Sequence, residues 1–227
     1  LQGAQRLTIN ELSSGLLLND GKGHLSFRPL PRMAQLSAAF GLAFHDWDAD
    51  GQVDLAMAQN FYSPQPETGN FDGGVGMVLR GLGNGSFKPI RTDKSGFVLP
   101  GDAKALGLTD VDGDARPDLV ATVNSSTPKV FLSQTSSGKS LVIRLKGPKG
   151  NLRGVGSRVS LRLKSGRILV SEVHSGSSYL TGSSTDVCFS IPPSDETVSL
   201  VIRKPGGVTI ERALKVASGR IEVKLID

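Results

Sequence analysis

One cysteine, Cys188, occurs in 227 residues, so no disulfide can form within the chain. A lone thiol suits a reducing compartment, and it equally suits a secreted protein stabilised by other means. Cys188 sits in the alternating stretch "TDVCFSI" and reads as a small buried hydrophobe. No run of about 18 apolar residues is present, which excludes a membrane-spanning helix. Aromatic residues make up only 5% of the chain. Of the three histidines, His24 and His45 stand beside no recognisable nucleophile motif, and no His or Cys is placed to bind zinc. With no triad, transition-metal cluster or phosphate loop, catalysis within this chain is not expected. The chain opens on "LQGAQRLTINELSSG" with no basic-then-apolar leader, and is expected to be a mature or trimmed piece of a larger protein.

What the chain does have is glycine (28) and proline (12) among many β-branched residues. That mixture predicts many short strands joined by tight turns. Its net charge of +5 is unevenly spread. Residues 1–135 hold 11 Lys and Arg against 14 Asp and Glu, a net of −3; residues 136–227 hold 15 against 7, a net of +8. The asymmetry predicts two domains, 1–135 and 136–227, with a boundary in the Ser/Gly-rich stretch at 134–139. A basic half can attract acidic polysaccharide, nucleic acid or anionic lipid, or can simply be a solvated surface. Here its cations alternate along strands and form no block.

Two short segments concentrate negative charge. "DWDADGQVD" (46–54) and "DVDGDARPD" (110–118) each carry acids at positions 1, 3, 5 and 9: Asp46, Asp48, Asp50 and Asp54, then Asp110, Asp112, Asp114 and Asp118. Position 7, Gln52 or Arg116, can offer its backbone carbonyl, and the small residues at positions 4 and 6 let the loop wrap tightly. With a water, such a loop supplies about six or seven oxygens, which suits Ca²⁺ better than Mg²⁺ or Zn²⁺. Neither loop is an EF-hand: position 12 is Met57 or Ala121 rather than Glu. Two other readings stand beside this one, a solvated Asx-rich turn without an ion and a catalytic carboxylate pair.

The loops begin 64 residues apart, and a glycine hairpin repeats nearly in step: "LLLNDGKGHL" (16–25) against "VLRGLGNGSF" (78–87). One repeat therefore reads as a strand at 40–45, the acidic loop, strands at 53–60 and 75–80, a glycine turn, and a strand at 86–90. Four antiparallel strands in about 60 residues is the size of a propeller blade. About two and a half blades can be counted, so other blades, from the parent chain or from other subunits, are expected to complete the ring. The long connection "NFYSPQPETGNFDGG" (60–74) carries Phe61, Tyr62 and Phe71, which are candidates for a ligand surface or for a cap on the blade.

The pattern D-x-D-x-D-G-x-x-D, followed by an apolar strand and a G-x-G hairpin, resembles the FG-GAP or VCBS-type repeats of calcium-binding propellers over residues 16–133. The resemblance implies that the eight aspartates bind two structural Ca²⁺ ions. After Leu141 the alternation is that of about seven strands and predicts an antiparallel sandwich or small barrel. "NLRGVGSRV" (151–159), "EVHSGSSYLTGSS" (172–184), Phe189 and the turn at 205–207 resemble the ASPIC/UnbV domain of the cartilage acidic protein-like family. That family's F-G-L-G is here "FSIPP", and its W-P-S-G is "KPGG", without the tryptophan. Arg158, Tyr179 and His174 are further candidates for a ligand patch, or structural residues of strands and turns.

The fold class expected is thus all-β: a partial propeller plus a C-terminal sandwich or barrel. The function expected is a calcium-stabilised extracellular, periplasmic or cell-surface interaction or adhesion module. Its ligand would be a protein or glycan, and no nucleic acid is expected. An accessory domain of a secreted polysaccharide-processing enzyme and an architectural element of a surface assembly are the alternatives.

Overall fold

A computed structural model describes residues 3, 5–135, 137–215 and 218–225. Part of the expected boundary at 134–139, Ser136, lies outside the described residues. The fold is all-β, built from several separate sheets with no closed barrel. A two-stranded hairpin comes first, β1 (Gly15–Asn19) and β2 (Leu25–Pro29). A four-stranded antiparallel sheet follows in the order β3 (Ala39–His45), β4 (Asp54–Gln59), β5 (Met77–Gly81), β6 (Phe87–Ile90). The third sheet has three strands, β7 (Ala103–Thr109), β8 (Asp118–Val123) and β9 (Lys129–Phe131). These sheets of two, four and three strands follow the strand order read from the sequence. The paired glycines of the repeat, Gly21 and Gly23, Gly83 and Gly85, all adopt positive φ, which is why the turn takes glycine.

The three sheets stack face against face. All six residues of β4 are buried, because one of its faces packs toward the first hairpin and the other toward the third sheet. Leu55, Met57 and Leu79 join Leu30 and Ala34 on one side; Ala56 and Ala58 join Leu106, Leu119 and Ala121 on the other. Alanine on that second face lets the sheets approach closely. Gly41 does the same on β3: a β-carbon there would stand 2.8 Å from the Leu106 backbone nitrogen.

The remaining seven strands form two sheets over one core. β10 (Lys139–Lys146) lies between β13 (Val187–Ile191) and β16 (Gly219–Lys224); opposite it run β12 (Ile168–Glu172), β11 (Arg158–Leu163), β14 (Thr197–Arg203) and β15 (Thr209–Ala213), in that order. Leu141, Ile143, Leu145, Val187 and Phe189 from one sheet meet Val159, Leu161, Leu200 and Ile202 from the other, so the arrangement is a sandwich. It is antiparallel except for one pair. β16 returns to its sheet after β14 and β15 and runs parallel to β10.

The segment after β12 binds the halves together. The Leu42 amide on β3 donates to Ser178 Oγ at 2.9 Å. On β7, the Leu106 amide donates to Thr181 Oγ1 at 3.2 Å and the Leu108 amide to Ser183 Oγ at 3.0 Å. β3 and β7 are the first strands of their sheets, with one ladder edge open, so the hydroxyls supply partners that those edges lack.

Candidate metal centre

Both acidic loops are hairpin tips with the same register. His45 pairs with Asp54 across the first, and Thr109 with Asp118 across the second. The tight wrap falls where small residues were expected: Ala49 and Gly51, then Gly113 and Ala115, all take positive φ. The position-9 aspartates are almost fully buried, and each accepts two backbone N–H groups. Asp54 accepts from Trp47 (3.0 Å) and Gly81 (2.8 Å); Asp118 accepts from Val111 (2.7 Å) and Ser133 (2.8 Å). One bond closes the loop and the other fastens the next strand, so this residue shapes the tip whatever else it does. The position-1 aspartates accept from the amide at position 6: Gly51 to Asp46 (2.8 Å) and Ala115 to Asp110 (3.1 Å).

Carboxylate oxygens converge in each loop, in different subsets. Asp46, Asp48 and Asp50 bring oxygens within 4.8 Å of one another, as do Asp110, Asp112 and Asp118. Asp54 and Asp114 stand outside these triads. Gln52 and Arg116 donate their amides to the position-5 aspartates, Asp50 (2.7 Å) and Asp114 (2.8 Å). The Arg116 side chain pairs with Asp114, and its Nε donates to the Ser133 carbonyl at 3.2 Å. An all-oxygen donor set of clustered carboxylates on a tight hairpin fits a hard divalent cation.

Electrostatics point the same way in the first loop. Burial, with the neighbouring Asp50, Asp54 and Asp48 adding to it, pushes Asp46 up to about 7. Burial likewise raises Asp54 to about 6. Carboxyls held this far above 3.8 lack a sufficient counter-charge.

Two arginines not expected from the sequence pair with loop carboxylates. Arg80 on β5 pairs with Asp48 (2.7 Å) and Asp50 (2.8 Å). Arg220 on β16 pairs with Asp110 at 2.5 Å. Both loops in fact abut the sandwich. Ser140 Oγ donates to the Ala115 carbonyl at 2.6 Å, Ala49 lies against Gly138, and Arg167 covers Gly51. At this junction a cavity of about 230 Å³ is lined by His45, Trp47, Asp114, Arg116, Lys139 and Ser190 among others. Burial pushes His45 down to about 4, so it is neutral at pH 7; its Nε2 lies 2.8 Å from Ser190 Oγ. Cys188 on β13 is half-buried, and desolvation lifts its thiol to about 12, far from a reactive thiolate.

Residues 147–222 match the family model described as ASPIC and UnbV. The match covers about a third of the chain, within the sandwich, and contains every segment that carried the resemblance there. No curated protein matches the sequence.

The candidate ligand residues separate into groups. Phe61 bridges to Phe71 across the base of the 60–74 connection and packs edge-on against Phe40 at 5.6 Å. Tyr179, arriving from the sandwich, packs on the same Phe40 at 5.1 Å. Beneath them Lys104 Nζ bonds Asp102 (2.5 Å) and the Asn60 carbonyl (2.6 Å), 3.8 Å from the Phe40 ring centre. Phe61 thus helps to bury a lysine. Tyr62, Phe71 and Tyr179 remain 40–50% exposed around it. Arg158 stands elsewhere, on β11 opposite Arg203.

Proposed function

We propose that this chain is a non-catalytic, calcium-stabilised interaction module of a larger protein working outside the cytoplasm, with an ion held at each acidic hairpin tip. The observation that carries the reading is the pair of carboxylate triads, Asp46–Asp48–Asp50 and Asp110–Asp112–Asp118, on tips of equal register in successive blade-like sheets. Calcium in each triad would remove the mutual repulsion of the aspartates and hold the tip in its wrapped form. Extracellular modules bind Ca²⁺ with Kd of roughly 10⁻⁴–10⁻³ M, so such loops fill where calcium is millimolar. Because both tips press on the sandwich, the ions would also steady the junction between the halves.

In this reading residues 16–133 are FG-GAP or VCBS-type blades and residues 136–227 the ASPIC/UnbV-like domain. The unpaired edge of β9 would be covered by further blades, and the exposed rings of Tyr62, Phe71 and Tyr179 would face a protein or glycan ligand. Amide hydrogen exchange tests the central point. Segments 46–54 and 110–118 should exchange more slowly in calcium than in chelator. Equal rates in both conditions would remove the ion from the account.

A further inference from the structure

The outward face of the four-stranded sheet carries a charge pattern that the calcium reading does not use. Register fixes which side chains share that face. Val159 and Leu161 of β11 point into the core, so Arg158, Ser160 and Arg162 point out. Across the ladder from Arg158 stand Arg203 on β14 and Glu172 on β12. Like charges directly opposite on neighbouring strands repel, with their β-carbons about 5 Å apart. A few residues along, the same face neutralises its arginine: Arg162 lies 3.9 Å from Glu211, which also accepts from Ser199 Oγ. Arg158 and Arg203 receive no such treatment. Both are exposed, and among the described residues neither forms an ion pair, with Glu172 or with any other acid.

The geometry points to an anion-binding site at the Arg158–Arg203 pair, taking a sulfate or carboxylate group of an acidic polysaccharide. Two guanidinium forks side by side match the planar, multidentate oxygens of such groups. A bound anion also relieves the repulsion that the free sheet bears. The half that carries the site has a net charge of +8, which draws in a polyanion over and above the local contact. A polysaccharide fits better than a nucleic acid because the residues beside the pair on this face include Ser160, Val170, Val201 and Thr209, and none of these offers a ring on which a base could stack. The site lies apart from the acidic loops and does not depend on calcium occupying them.

Heparin, a sulfated polysaccharide, is the probe. The full chain should be retained on immobilised heparin, and Arg158→Gln with Arg203→Gln should weaken binding by roughly tenfold per arginine. The slope of log affinity against log salt should fall by about 2 in the double variant. Glu172→Gln should tighten binding. Arg28→Gln with Arg32→Gln, exposed arginines of the acidic half, should change it little. Thermal melts check folding; the double variant should melt no lower than the parent, since the pair it removes is repulsive. Failure of the parent to bind, unchanged binding by the double variant, or no gain from Glu172→Gln would each overturn the site. Equal stabilisation by sodium sulfate at matched ionic strength, or equal retention by duplex DNA, would overturn the polysaccharide as its ligand.

Discussion

The two acidic loops share sequence spacing, register and backbone, yet they meet their surroundings differently. The first is countered from within its own sheet, where Arg80 takes Asp48 and Asp50. The second is countered from the other half of the molecule, where Arg220 takes Asp110, and from itself, where Arg116 takes Asp114. The triads also differ, with Asp50 in the first and Asp118 in the second. Local sequence therefore sets the hairpin, while the cations that meet its carboxylates come from different elements. In the proposed calcium reading an arginine and the ion would compete for the same oxygens, so each loop would have a partial substitute for the ion, drawn from a different place.

The largest expected effect tests what the loops share. Asp54→Ala or Asp118→Ala leaves two backbone donors without their acceptor, at about 1–3 kcal/mol for each buried group. Either variant should be destabilised in chelator as well as in calcium, by urea unfolding. Asp48→Ala removes one 3.2 Å bond from the Asp50 amide and an exposed pair with Arg80, so its loss in chelator should be well below theirs and should grow in calcium. Equal losses for all three in chelator would mean that position 9 has no special structural role.

Next in size is a pH effect that sharpens the contrast in favour of the first loop. In chelator, burial should hold folded Asp46 near 7 and Asp54 near 6, against an ordinary carboxyl value of 3.8. The folded state then holds protons that the unfolded chain has lost. The stability linked to them is fully present below about pH 4 and disappears as pH rises through 7. Calcium binds the ionised forms, so the rise in Tm that it gives should grow over that same interval. Melting curves at pH 5, 6 and 7.5, with and without calcium, check this; a calcium effect independent of pH opposes it.

The smallest effect separates the loops. Arg220→Ala should raise calcium affinity a few-fold at the second loop alone, and Arg80→Ala at the first alone. Calorimetry that finds both sites shifted by either variant would dissolve the distinction.

Much of the fold was legible because its signals are periodic. Period-2 alternation in "RVSLRL" and "TVSLVIR" marks strands with one face in the core, and the two D-x-D-x-D runs mark the hairpin tips. The parallel pairing of β16 with β10 was not legible, since pairing order after a crossover is not a local property. Arg80 and Arg220 were missed for the same reason: Arg220 lies 110 residues from its aspartate. The "GSSYLTGSS" segment was read partly as a ligand patch. Its hydroxyls also satisfy the open edges of β3 and β7, a role not read from the sequence, for which the run of Ser and Thr in a segment of no fixed period was the available hint. Phe61 was a fair candidate as an aromatic in a long loop, but its place over Lys104 follows from a contact that only the folded chain makes.

Calcium titration of the purified chain by isothermal calorimetry at pH 7.5 tests the account most directly. It predicts two ions per chain with Kd of roughly 10⁻⁴–10⁻³ M, one lost with Asp48→Ala and the other with Asp112→Ala. At 100 times Kd each ion should stabilise the fold by about 2.7 kcal/mol. Absence of binding at millimolar calcium, or binding indifferent to both substitutions, would contradict it.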